Sequence, residues 1–259
     1  MNDTLQLLRD GAIATLTLNR PACRNAMTRA MWLALPALLA EVAVDDTIAL
    51  LQLEGSGGHF CGGADISEFE QAYATQAATA ASNAAIRDAV EALAAFPKPS
   101  VAVIRGACVG GGVALALACD LRLAADDARF AVTPVRLGLI YSHADTQRLV
   151  RAIGAGRAKE MLFSARLIDA AEALRIGLVE CLWPADCFDA AVSDYVEKLA
   201  MTSRPALRAV KAMVGAIADG ATRETPTLRA LFEDRFCGAD FAEGSRAFLK
   251  KRAPHFTDR

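Results

Sequence analysis

Two glycine-rich segments carry the most visible chemistry in this sequence. The first, His59-Phe60-Cys61-Gly62-Gly63-Ala64-Asp65-Ile66, follows an apolar run that reads as a strand and leads towards a helix. The second, Gly106 to Ala114, sets Gly110-Gly111-Gly112 between another such run and an apolar helix. Glycine lets the main chain turn tightly and leaves N–H groups uncovered. A helix start adds unpaired N–H groups and a partial positive charge. Two such donors meeting at one point would hold a carbonyl oxygen and stabilise it as it becomes negative. Either segment alone also reads as a tight turn in a packed core. Neither is a P-loop, since no Gly-Lys-Ser/Thr follows, and Gly106 to Gly111 does not form GxGxxG.

Other groups could do chemistry nearby. Cys61 lies inside the first segment with His59 close by, but its setting reads as a small packed thiol rather than a nucleophile. His143 could shuttle protons near neutral pH. Beside Ser142 and Asp145 it equally reads as the start of a helix, where an acidic first turn suits the dipole. Glu68 and Glu70 follow the first segment and read as a solvated helix face. The seven cysteines include no CxxC and the three histidines are scattered, so no metal site is expected. Such thiols suit reduced residues in a cytoplasmic protein.

The elements that must position these residues can be read coarsely. Gln6–Arg9 and Ile13–Leu18 flank Asp10-Gly11, a hairpin signal. Thr28–Val42 predicts a helix with Thr28 as N-cap, kinked or broken by Pro36. Ile48–Leu53 is an apolar strand, and Gln71–Phe96 contains a long alanine-rich helical stretch ending before Pro97. Ser100–Ile104 and Leu121–Ala124 read as strands around a buried helix at Val113–Ala118. From Thr146 the pattern is helical apart from a strand at Val179–Trp183, and Arg204–Lys251 reads as helices broken at Gly220, Pro226 and Gly238. Strands interleaved with helices, then helices alone, predict an α/β core with a helical C-terminal part.

Composition narrows the partners. With 54% hydrophobic and 22% charged residues, the 259-residue chain can bury a large core, which excludes disorder. Its net charge of -2 gives no overall field for nucleic acid or an anionic membrane. Arg148, Arg151, Arg157 and Lys159 cluster, but apolar residues interleave them, as on an exposed helix face. No run of 18 apolar residues suggests a membrane span, and the first residues do not read as a signal peptide.

Taken together, the two segments resemble the crotonase superfamily, the enoyl-CoA hydratase/isomerase family. Further marks are Asn19-Arg20-Pro21, Arg24-Asn25-Ala26, Lys98-Pro99, Cys119-Asp120, Leu137-Gly138, Thr146-Gln147-Arg148-Leu149, Ala170-Ala171-Glu172-Ala173 and Ala247 to Phe256. The resemblance implies an α/β spiral of ββα units over residues 1–200 and a helical trimerisation region over 201–259, assembled as a homotrimer or dimer of trimers. It implies an acyl-CoA thioester substrate, with coenzyme A entering as part of the substrate and no separate cofactor. The oxyanion-hole N–H groups would be those of Ala64 and Gly111. Arg24, Ala26, Cys61, Gly62, Asp65, Ile66, Gly110, Pro134 and Leu137 would bind the substrate, with the Ala64-Asp65-Ile66 backbone near the adenine and Arg24 near the phosphates. Lys250 or Lys251 would reach a neighbour's coenzyme A, Asp65 would shape its loop, and Gln71 to Ala85 would wall the acyl pocket.

The resemblance breaks where hydratases of this family carry two glutamates. Those positions are Ala114 and Pro134 here, and neither side chain can act as acid or base. The expectation is an enzyme that stabilises a thioester enolate without standard syn hydration. Thr133-Pro134-Val135-Arg136-Leu137-Gly138-Leu139-Ile140-Tyr141 is similar to the methylmalonyl-CoA decarboxylase branch, in which a tyrosine placed like Tyr141 faces the substrate carboxylate. Tyr141 is thus the first candidate for handling a carboxylate or a proton. A malonyl-type decarboxylase and a catalytically silent acyl-CoA binder stay open as alternatives.

Overall fold

Asp10 pairs with Ile13 across a two-residue turn, closing an antiparallel hairpin of β1 (Leu5–Asp10) and β2 (Ile13–Leu18). The structure, a computed structural model, describes residues 3–257. After β2, a short 3-10 turn leads to α1 (Arg29–Ala43) and then β3 (Leu50–Gly55). Thr28 caps α1 by accepting from the Met31 N–H, as its type predicts. Pro36 neither breaks nor splits α1. It costs the helix one N–H donor to the Trp32 carbonyl. The buried stripe Met31, Leu35, Leu39 and Val42 holds the helix against the core despite that loss.

The long alanine-rich helical stretch expected within residues 71–96 is α3 (Gln76–Ala94), preceded by the single turn α2 (Phe69–Ala72). Thr75 explains the division, since its hydroxyl accepts from Ala78 N–H and starts α3 afresh. Next come β4 (Ser100–Ile104), β5 (Ala107–Val109), α4 (Gly111–Ala118), β6 (Leu121–Ala125) and β7 (Arg129–Ala131). They are followed by α5 (His143–Ser164), which breaks helical geometry at Gly154, then β8 (Ile168–Asp169), α6 (Ala170–Ile176) and β9 (Cys181–Trp183). The chain ends in α7 (Phe188–Ala200), α8 (Arg204–Ala218), α9 (Pro226–Glu233) and α10 (Ala239–Leu249).

One sheet has the order β1-β2-β3-β4-β6-β9, parallel from β2 onward; a second holds β5-β7-β8. Isolated bridges extend the second sheet, Met27 to Ala64 and Cys61 to Cys108. Each winding therefore lays one segment in the large sheet, one in the small sheet and then a helix. The architecture is an α/β spiral of ββα units, the fold class anticipated from the sequence. Parallel strands need cover on both faces, and β4 displays how they get it. Ala102 and Ile104 join the core beneath α1, α3 and α4, while Val101 and Val103 pack against Phe188, Val192 and Val196 of α7. No helix among the described residues is long and apolar enough to cross a membrane.

Candidate active site

The site is built where three windings touch. Arg24 and Asn25 both have positive φ, 51° and 57°, which turns the chain sharply after the 3-10 turn. Asparagine tolerates this conformation. The buried Asn25 amide then donates to the Ser56 and His59 carbonyls at 2.9 and 2.6 Å. Gly62 N–H donates to Arg24 O, Met27 N–H to Gly63 O and Asp65 N–H to Met27 O, all at 2.7–2.9 Å. Residues 24–27 thus run beside 62–65 with the main-chain groups matched.

The next contact joins that loop to α4. Cys61 exchanges main-chain hydrogen bonds with β5, N–H to Ala107 O and carbonyl from Val109 N–H, each 2.9 Å. Gly112 sits so close that a Cβ there would lie 2.3 Å from Cys61 O. Gly63, with φ +102°, would bring a Cβ to 2.9 Å from Val109 O. Only glycine suits these two positions. The result is an approach of two main-chain amides. A Cβ built on Gly111 would stand 3.5 Å from the Ala64 nitrogen, and one built on Gly63 would stand 3.3 Å from the Gly111 nitrogen. Gly111 is the first residue of α4, where helix N–H groups have no intrahelical acceptor. Among the described residues, neither Ala64 N–H nor Gly111 N–H has an acceptor.

The neighbouring side chains are committed to holding this frame. Asp65 accepts from Ser67 and forms an ion pair with Arg20 at 2.7 Å. The Ser67 hydroxyl, then Arg20, holds its carboxyl below the usual carboxylate range despite some burial. Arg20 also donates to Ala26 O, so Asp65 fixes the loop entrance. Cys61 is fully buried and donates to Asn25 O, and burial pushes its thiol up to about 12. His59 accepts from the Ala107 N–H through Nδ1 and forms no pair with Cys61. Thr133 Oγ1 would lie 3.4 Å from a Cβ on Gly110, which brings the turn starting at Pro134 to the loop.

Ala114 is buried in α4, and neither it nor Pro134 offers a titratable group. Leu137 and Ile66 are exposed. Lys250 stands apart from the cluster, exposed at the end of α10.

Tyr141, the first candidate for handling a carboxylate or a proton, is 8% exposed, and its hydroxyl donates to the Gly110 carbonyl. Burial, then the nearby Asp145 charge, pushes the phenol well above its ordinary value, so it stays protonated. Ser142, rather than His143, caps α5. Asp145 is paired with Arg148, which also reaches Glu91, and Arg151 meets Asp219. The basic cluster read from the sequence is therefore partly neutralised by carboxylates.

A narrow cleft opens beside Ala64 and Asp65, walled by Met27 and Trp32 below and by Phe69, Tyr73 and Ser82 of the α2–α3 segment above. Glu68 stands at its edge, where its carboxylate accepts from the Arg29 N–H at the start of α1. Burial raises the Tyr73 phenol. Trp32 is 2% exposed and its Nε1–H has no acceptor among the described residues, an arrangement that costs about 1–3 kcal/mol when nothing fills it. The sequence placed α2–α3 as a wall but gave no sign of Trp32, which falls in the apolar stripe of α1. Among the described residues no three His, Cys, Asp or Glu side chains are grouped to hold a metal ion.

The geometry agrees with the known proteins this chain is similar to. It is 34% identical to the 2,3-dehydroadipyl-CoA hydratase of Escherichia coli (strain K12), with 97% of each chain covered. Among solved structures, an enoyl-CoA hydratase/isomerase family protein from Hyphomonas neptunium superposes with a TM-score of 0.94. The two are 42% identical, over 99% of this chain and 98% of that one. An enoyl-CoA hydratase/carnitine racemase from Magnetospirillum magneticum gives 0.95 at 34% identity, over 100% and 97%. The Enoyl-CoA hydratase/isomerase family model matches residues 9–259. With that match spanning nearly the whole spiral and its C-terminal helices, the chain belongs to the enoyl-CoA hydratase/isomerase family.

Proposed function

We propose that this enzyme binds a coenzyme A thioester with its carbonyl oxygen between the Ala64 and Gly111 N–H groups and stabilises the enolate that forms there. The observation that carries this reading is the approach of two acceptor-free amides from successive windings. Both donors are main-chain groups in a fixed frame, so they need little reorganisation as charge develops. The α4 N-terminus adds a favourable field at Gly111.

Arg24, Ala26, Gly62 and Gly110 form the main-chain walls around the thioester in this reading. Standard syn hydration is not the reaction, because Ala114 and Pro134 replace the two carboxylates that position water. A malonyl-type decarboxylase would need an anchor for its second carboxylate, and Tyr141 already donates to Gly110. The reading extends to assembly as a homotrimer or dimer of trimers through the C-terminal helices, with Lys250 reaching a neighbour's site.

The test compares butyryl-CoA with its thioether analogue, which lacks the carbonyl oxygen. The thioester should bind about tenfold or more tightly, the worth of one or two charge-assisted hydrogen bonds. Gly111→Ala should erase that difference without unfolding the protein. Its methyl would sit at ordinary contact distances, 3.4 Å from Trp32 and 3.5 Å from the Ala64 nitrogen, inside the gap the oxygen needs. Crotonyl-CoA should yield little or no 3-hydroxybutyryl-CoA. Equal binding of thioester and thioether overturns the oxyanion assignment, and rapid hydration overturns the exclusion of that reaction.

A further inference from the structure

Among the described residues, Trp32 is the side chain beside the amides whose bonding the fold leaves unfinished. Its indole is shut off from solvent, and Nε1–H has no acceptor among the described residues. Buried tryptophans usually find a partner for this donor. The ring edge that carries Nε1 also carries Cζ2, and Cζ2 lies 3.4 Å from the Cβ position of Gly111. The same point is 3.5 Å from the Ala64 nitrogen. The indole edge and the candidate oxyanion amides therefore border one gap, kept open because residue 111 has no side chain. Trp32 also lines the cleft that runs from Ala64 between α1 and the α2–α3 segment.

From this juxtaposition we infer that Trp32 is a specificity-determining residue whose Nε1–H binds an oxygen carried by the acyl group near its thioester carbon. The inference rests on the acyl-CoA reading and narrows it to small oxygenated acyl groups, with a hydroxyl, keto or carboxylate oxygen as the acceptor. The positions of the two missing glutamates offer no polar contact to such an oxygen, and Trp32 supplies one. Selectivity follows from asymmetry: a plain alkyl chain in the cleft would leave the donor without a partner, whereas an oxygenated chain would satisfy it.

The chain has two tryptophans. Trp183 packs against Phe188 and Tyr195 on the α7 side of the sheet, away from the cleft, so Trp183→Phe leaves one indole to observe. In the full-length Trp183→Phe protein labelled with 15N, the indole N–H resonance is followed while 3-hydroxybutyryl-CoA, acetoacetyl-CoA, methylmalonyl-CoA or butyryl-CoA is added. At least one oxygenated thioester should move the signal downfield and bind more tightly than butyryl-CoA, and the arm that does so identifies the kind of oxygen. Trp32→Phe should then weaken that ligand about tenfold and leave butyryl-CoA within about twofold. If all four bind with the same affinity, or Trp32→Phe weakens them equally, Trp32 is a packing residue and the inference falls while the acyl-CoA reading stands. If none binds, both fall together.

Discussion

Tyr141 shows how a residue's type and its task separate. A phenol beside a glycine loop suggests proton transfer, yet its hydroxyl is spent on the Gly110 carbonyl, one residue from the Gly111 amide. We propose that it is a positioning residue for the second loop. Tyr141→Phe should cost about 1 kcal/mol of stability in a denaturant titration, the worth of one buried hydrogen bond. The preference for butyryl-CoA over its thioether should shrink but persist, and the pH dependence of binding should not change. Complete loss of that preference, with an altered pH profile, would restore the tyrosine to direct contact with substrate. The two glycine-rich loops were legible in the sequence because glycine marks where the main chain is bare, and the family resemblance singled out Ala64 and Gly111 within them. Trp32 was not legible. It sits in the stripe Met31, Leu35, Leu39 that any core-facing helix would have, and its lack of an acceptor is decided by residues from other windings.

At the level of elements, the site depends on how closely α4 approaches the strand segment holding Cys61. That segment cannot retreat, because Cys61 is bonded through both N–H and carbonyl to β5. Gly112→Ala would force a methyl to within 2.3 Å of the Cys61 carbonyl. Overpacking of this kind should destabilise the fold by about 1–3 kcal/mol or more in urea unfolding. It should also weaken thioester binding, because α4 carries Gly111 with it. A fully stable, fully competent variant would mean that the two loops are not held by this contact. The same scale explains which elements could be read in advance. All five residues of β4 are buried and apolar or small, and its predicted limits coincide with those observed. The segments β5 and β7 have three residues each, too few to show an alternation. The start of α3 turns on one threonine, Thr75, inside an otherwise helical run.

For the whole molecule, the unfinished surface lies in the C-terminal helices. No residue of α8 is buried, although Val210, Val214 and Ile217 form one apolar stripe along it. Val210 and Val214 line an open groove against Phe96, Pro97 and Pro99. The proposed trimer gives this surface its cover. Sedimentation should give a mass three or six times that of one chain, and Val214→Glu should shift it towards the monomer by placing a charge in an apolar contact. A monomeric unmodified protein would remove the trimer proposal. The spiral itself has a different bearing on the enzyme. The two amides proposed to grip the thioester oxygen sit on adjacent coils, so their separation is set by how those coils pack. In this reading, changes along the outer walls would alter what the enzyme accepts, whereas a slip between coils would disarm it for every ligand at once.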